Sequence, residues 1–169
     1  MHTANRPGKR CAGEPCSRAL RRLSMPRRVG EPTMQQLIYD KDRVGPWVCK
    51  RTGGTYSPVD ASAIGMLRDG RLVAGCLFEH FNGASIAMHV GSDGPHWLSR
   101  TFLRAVFRYP FVQLGVRKVL GFVDASNAAA QRFDEHLGFV LEATLTDAAP
   151  GGDLLIYTMR REQCRFLEL

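Results

Sequence analysis

The side chains best placed to do chemistry gather around one short apolar run. Its alternation puts Ser85, Ala87 and His89 on one face of segment 84–90 and Ile86, Met88 and Val90 on the other. A histidine on such a face titrates near ~6.5 and can take a proton directly or through a water. Glu79 and His80, just before Asn82-Gly83, are further candidate bases. All three also have a structural reading, as hydrogen-bonded side chains of a sheet or turn. The run continues as Val90-Gly91-Ser92-Asp93-Gly94 and enters an amphipathic segment. A strand that turns there into a helix presents unpaired backbone N–H groups and a positive dipole end, which suits a pyrophosphate. Every strand-to-helix turn has such groups, and Asp93 opposes an anion. Cys76 falls inside an expected strand, and neither it nor Cys164 has an expected histidine partner, so both read as packing residues.

These residues need elements to hold them. Asp69-Gly70 and Asn82-Gly83 supply the positive φ of two-residue hairpin turns, so 62–68, 71–81 and 84–90 read as a three-stranded meander. Before it, 34–39 fits a short strand or a helix start, and 40–51 a short helix interrupted at Gly45-Pro46. After it the apolar period lengthens: Leu98, Phe102, Leu103, Val106 and Phe107 share one stripe, Arg100, Arg104 and Arg108 another. This predicts a helix of about four turns, capped by Ser92 or Asp93, with Pro95 in its first turn and Pro110 limiting its end. Trp97, Phe102 and Phe107 read as core. Gly115 turns the chain back, 117–123 is a strand, 127–137 a helix capped by Ser126 and closed by Gly138, and 139–145 and 153–159 are strands around a loop at 146–152. Strand, helix, strand at this spacing permits parallel pairing of 84–90 with 117–123. The expected fold class is α/β: a mixed, mostly antiparallel sheet with one parallel crossover and helices on both faces.

Composition narrows the class. The chain has 169 residues, 44% apolar and 23% charged, enough for one domain with a real core. It lacks an apolar run long enough to span a bilayer. Its five cysteines are scattered without a C-x-x-C pair or paired histidines, so neither a disulfide framework nor a metal site is expected. With no secretory h-region, a cytoplasmic protein with reduced thiols is expected. The net charge of +7 is concentrated in residues 1–33, which carry eight basic and two acidic groups, while 34–169 carry fifteen and fourteen. Residues 1–33, rich in Pro, Gly and Ser, read as a disordered basic extension preceding one domain at 34–169. The extension admits three readings: a loosely selected leader with the true start at Met25 or Met34, a tether to nucleic acid or another acidic surface, or an organellar transit segment.

The arrangement resembles the GNAT superfamily of N-acetyltransferases over most of 62–159. The most specific piece is the run 123–139, with Asn127 at the helix start and Phe133-Asp134-Glu135-His136-Leu137-Gly138-Phe139 at its end. Together with Gly94-Pro95-His96-Trp97-Leu98, that end is similar to compact members found in phage and prophage genomes. The resemblance implies acetyl-CoA as co-substrate and direct acetyl transfer to a primary amine of a small molecule or protein, without a metal. It implies that the backbone of Met88, His89 and Val90 holds the pantetheine arm, that Gly91, Gly94 and Arg100 meet the pyrophosphate, and that Asn127 meets the amide arm. A homodimer is common in the family.

Two departures stand out. The family's pyrophosphate loop reads Q/R-x-x-G-x-G/A, whereas Gly91 and Gly94 are the only glycines here and no basic residue precedes them. Phe133 stands where many members carry a tyrosine that protonates the leaving thiolate. A thiol pKa near ~8.5 makes that loss tolerable, whereas an amine of pKa ~10.4 is neutral in only about one molecule in 2,500 at pH 7 and needs a base, His89 or Glu79. The rival readings are an inactive acyl-CoA-binding module and a nucleic-acid-directed modifier that uses the basic extension.

Overall fold

A computed structural model describes residues 34–94 and 97–168. The basic extension expected to be disordered, and Pro95, expected in a first helical turn, lie outside the described residues. The chain runs β1 (Gln35–Ile38), α1 (Lys41–Thr52), β2 (Ser62–Arg68), β3 (Arg71–Glu79), β4 (Ser85–Ser92), α2 (Arg100–Arg108), β5 (Lys118–Asp124), α3 (Ala128–Leu137), β6 (Val140–Ala149) and β7 (Gly152–Arg160). The strands form one sheet in the order β1-β2-β3-β4-β5-β7-β6, with β4 and β5 parallel and the other pairs antiparallel. This is the expected α/β class. Among the described residues no helix is long and apolar enough to cross a membrane.

Each face of the sheet buries its own apolar set. Ile64, Met66, Cys76, Phe78, Ile86, Met88, Val119 and Val123 pack with Phe102, Val106 and Phe107 of α2 and Leu137 of α3. The opposite face sets Ala63 and Leu77 against Val44, Val48 and Cys49 of α1. That helix sits close because the sheet has no side chain beneath it at one pair: Gly75 lies opposite Gly91. A Cβ on Gly75 would stand 2.8 Å from Val44 and Val48, and one on Gly91 3.4 Å from the Val48 backbone and the Arg51 stem. The largest buried side chains, among them Phe78, Phe102, Phe107 and Phe111, all lie within this single body.

The turns show which local signals survive. Asp69 and Gly70 have φ of 55° and 78°, the geometry expected of a two-residue hairpin. Asn82-Gly83 is different. The strands end at Glu79 and resume at Ser85, so the loop is longer than a two-residue turn, and positive φ falls on His80 and Gly83. Asn82 acts through its side chain instead, its Oδ1 accepting from the N–H groups of Ala84 (3.0 Å) and Ser85 (2.8 Å).

The first crossover helix also departs from expectation. β4 runs on to Ser92, and α2 begins only at Arg100, capped by Ser99, whose Oγ accepts from Phe102 N at 3.2 Å. Ser92 and Asp93 are therefore not its cap. The α-helix does end at Arg108, two residues before Pro110, as expected, and the chain then widens into a π-helical turn at Tyr109–Gln113 that begins where proline's missing N–H is not needed. In α3, Asn127 rather than Ser126 is the cap, and Gly138 closes the helix at φ 102° as expected. β6 and β7 extend into the expected loop, with an irregular register between Leu145 and Ala149.

Candidate active site

The parallel strands β4 and β5 pair only at their beginnings. Ser85 lies opposite Lys118, Ile86 opposite Val119 and Ala87 opposite Leu120, and there the register stops. Both strands are held on their other edges: β4 pairs with β3 out to Ser92, and β5 with β7 out to Asp124. The opening is thus a splay between two anchored strands rather than a frayed end. Met88 to Ser92 on one side and Gly121 to Asp124 on the other have no strand partner across it. Backbone N–H and C=O groups left this way seek other partners, and an extended amide-bearing ligand can supply them.

His89 sits on the β4 wall of this opening. Because His89 pairs with Leu77, Glu79 two residues along β3 occupies the same face, diagonally adjacent. His89 Nε2 and Glu79 Oε2 are 3.5 Å apart, with their side chains 25% and 15% exposed. The His89 ring also faces Phe122 of β5, centroid to centroid 6.5 Å. Burial lowers the His89 pKa below its ordinary value, the Glu79 carboxylate opposes that shift, and His80 adds to it. The result is an imidazole held neutral, and so ready to accept a proton, beside a carboxylate that stabilises the imidazolium once it forms. His80 lies in the β3–β4 loop.

The loop beyond β4 differs from what residue spacing implied. Gly91 is a buried strand residue beneath α1, whereas Gly94 takes φ 71° with open space around it. Asp93 is not a bare negative charge. Arg51, from the last turn of α1, grips it with two hydrogen bonds of 2.8 and 2.9 Å while stacking on Trp47 at 3.5 Å. Arg51 was missed in the sequence because it is 42 residues away. Arg100 is the exposed first residue of α2, where a cation adds to the first-turn N–H groups.

On the far side, Asn127 Oδ1 accepts from Ala130 N at 3.1 Å, which leaves its amide nitrogen for another partner. Phe133 packs against Trp97 in a tilted pair, centroids 5.5 Å apart, and Trp97 in turn meets Phe102 edge-on at 5.9 Å. Asp134, the next residue, was also missed. It shares the helix face of Ala130 and Leu137, both of which pack on the core, so its signal was an acid on an apolar stripe. Its Oδ2 lies 2.9 Å from where a Cβ on Gly121 would stand. Burial, then the neighbouring Glu135, push its pKa up to about 7. Cys76 and Cys164 are buried with their thiol pKa values raised, and Cys76 is fully enclosed, which suits packing and not nucleophilic attack.

Solved structures share this fold. Mutant forms of the spermidine/spermine N-acetyltransferase SpeG from Vibrio cholerae superpose with a TM-score of 0.62 at 14% identity, over 80% of this chain and 98% of that one. A second mutant form of the same enzyme gives 0.63 at 14% identity over 79% and 96%. A probable acetyltransferase gives 0.52 at 18% identity over 62% and 63%. The chain has the GNAT fold. The sequence itself matches no protein-family model and no curated protein. Beyond the last β4–β5 pair, His89 and its neighbour Glu79 stand on the β4 side, Asp124 ends the β5 side, and Asp134 of α3 lies against Gly121.

Proposed function

We propose that this chain is an N-acetyltransferase that uses acetyl-CoA and passes the acetyl group directly to a primary amine. The observation that carries this reading is the register: pairing between β4 and β5 ends at Ala87 and Leu120, and His89 stands on the wall of the opening just beyond. The residues present fit a pantetheine arm, since the inner edge of Met88, His89 and Val90 has no strand partner among the described residues and can pair with its amides. Arg100 and the first turn of α2 suit the pyrophosphate, with Gly94 leaving room for it. Gly91 contributes by seating α1, which places Arg51 on Asp93 and so removes a repulsive charge. Asn127 offers its amide nitrogen, and Phe133 with Trp97 supplies an apolar wall. Bound acetyl-CoA supplies the activated thioester.

His89 does the proton work at the acceptor. Held neutral by burial, it takes the proton from the attacking nitrogen, and Glu79 at 3.5 Å steadies the charge it gains. Backbone N–H groups of the unpaired β4 edge supply donors for the negative charge that develops on the carbonyl oxygen. Polyamines enter the acceptor panel because the Vibrio cholerae neighbour is a spermidine/spermine N-acetyltransferase. A cytoplasmic setting and a place among the compact phage-type members rest on sequence alone.

Native mass spectrometry of the full chain with acetyl-CoA, paired with a CoA-release assay on spermidine, lysine and an N-terminal peptide, tests this. Retention of CoA with release on at least one amine is expected. Retention without transfer would leave an acyl-CoA-binding module, and failure to retain any CoA species would sink the reading.

A further inference from the structure

We propose that Asp134 is the proton donor to the leaving thiol, filling from the next helix position the role that Phe133 cannot perform. The inference rests on the acetyltransferase reading above and extends it to a residue on the opposite face of the sheet from His89. Three observations support it. Gly121 is the first residue of β5 beyond the last pair with β4, so it marks the inner corner of the opening. Asp134 fills the space its missing side chain leaves, with Oδ2 at 2.9 Å from the Cβ position. Among the described residues, the Asp134 carboxyl neither donates to nor accepts from any partner, so its proton is not committed to a structural hydrogen bond.

The neighbours explain why this acid and not another. Glu135 adjoins it on α3, and Tyr157, opposite Gly121 on β7, is buried beneath them. The Tyr157 hydroxyl already donates to Glu135 Oε1 at 3.1 Å, which occupies both groups with each other. The side chains of Val119 and Val123, on the same face of β5, carry no charge. Burial and the charge of Glu135 keep Asp134 protonated near neutrality, at a pKa of about 7, below the ~8.5 of a thiol, so transfer to a thiolate runs downhill.

In the step, the acceptor nitrogen bonds to the acyl carbon, the carbon–sulfur bond breaks with its electron pair on sulfur, and the Asp134 proton moves to that sulfur. The carboxylate left behind regains a proton from water. His89 passes the two protons of the acceptor ammonium to solvent, so one proton is released per turnover.

The test compares Asp134→Asn with the wild type on two acetyl donors, using whichever amine of the panel supports turnover. With acetyl-CoA, kcat falls about 10- to 100-fold while KM stays within about twofold. With an acetyl ester of 4-nitrothiophenol, whose thiolate leaves without a proton, the fall is about threefold or less. Asp134→Glu restores part of the acetyl-CoA rate. Equal losses on both donors, or no loss on either, would overturn the proposal. A second readout needs no turnover: the 13C carboxyl resonance of Asp134 in the full chain is titrated with CoA and with desulfo-CoA. A larger shift of its midpoint with CoA is expected, because the sulfur lies beside the carboxyl; identical shifts would overturn the assignment. Turnover and CoA binding with negative results on Asp134 remove only its role, whereas absence of CoA binding removes the acetyltransferase reading and the Asp134 proposal with it.

Discussion

At the scale of single residues, the proposed reaction gives the pair His89–Glu79 the task of taking the acceptor's proton. Burial lowers the His89 pKa and Glu79 raises it, so removing the carboxylate lowers it further. Glu79→Gln is therefore expected to move the acid limb of the rate profile to lower pH, with a smaller maximal rate because the imidazolium loses its partner. His89→Gln is expected to cut kcat about 10²- to 10⁴-fold, more for a lysine-type amine of pKa ~10.4 than for an α-amine near ~7.8. CoA release measured from pH 5 to 9 on both acceptors reads both effects. An unmoved acid limb in Glu79→Gln would show that the 3.5 Å contact is not felt by the base. His89 was legible in the sequence because strand alternation alone puts it on one face. Its contact with Glu79 required the β3–β4 register, which no local signal reports.

At the scale of elements, the proposal gives one side chain of α3 two ends to serve. Asn127 Oδ1 caps the helix by accepting from Ala130 N, and the proposed cofactor contact falls to its amide nitrogen. Asn127→Asp keeps the cap oxygen, since Asp and Asn cap equally well, and removes the donor. Unfolding stability is expected to hold within about 0.5 kcal/mol while KM for acetyl-CoA rises several-fold. Asn127→Ala, by contrast, is expected to cost about 1 kcal/mol as well. Denaturant unfolding and KM measured on both variants separate the roles, and an unchanged KM in Asn127→Asp would limit the residue to capping. The elements of this crossover were legible in type, but α2 starts later than its sequence signals indicate. Ser92 and Asp93 are drawn into β4 and onto Arg51, so a tertiary contact overrode a good local cap signal.

For the whole molecule, titration of Asp134 couples the site to stability. Its pKa is raised to about 7, so the folded chain keeps a proton that the unfolded chain releases. Its stabilising contribution is complete below the ordinary carboxyl value and is lost as pH rises through about 7. His89 works in the other direction: its depressed pKa contributes stability above its ordinary value, lost as pH falls through the folded one. Asp124 and Glu142, both lowered by hydrogen bonds, likewise weaken the fold only as acid protonates them. Asp134→Asn is thus expected to gain on the wild type as pH rises from 5 to 8, by on the order of 2 kcal/mol once hydration of the partly exposed group is allowed for. That corresponds to about 4–8 °C in Tm for a domain of this size. Thermal unfolding across that range checks it, and parallel curves would show that the carboxyl is not buried enough to matter.

The sequence by itself determined the class of fold, most of the strands, the crossover and the histidine on the β4 face, because alternation, helical period and turn chemistry act over a few neighbouring residues. It was silent on where β4 and β5 part, on the grip of Arg51 on Asp93 across 42 residues, and on the acid that α3 presses against Gly121. Those depend on how separated segments share space. Pairing ends where two strands anchored on opposite edges diverge, and a carboxyl acquires a raised pKa only when a distant glycine leaves it a place to be buried.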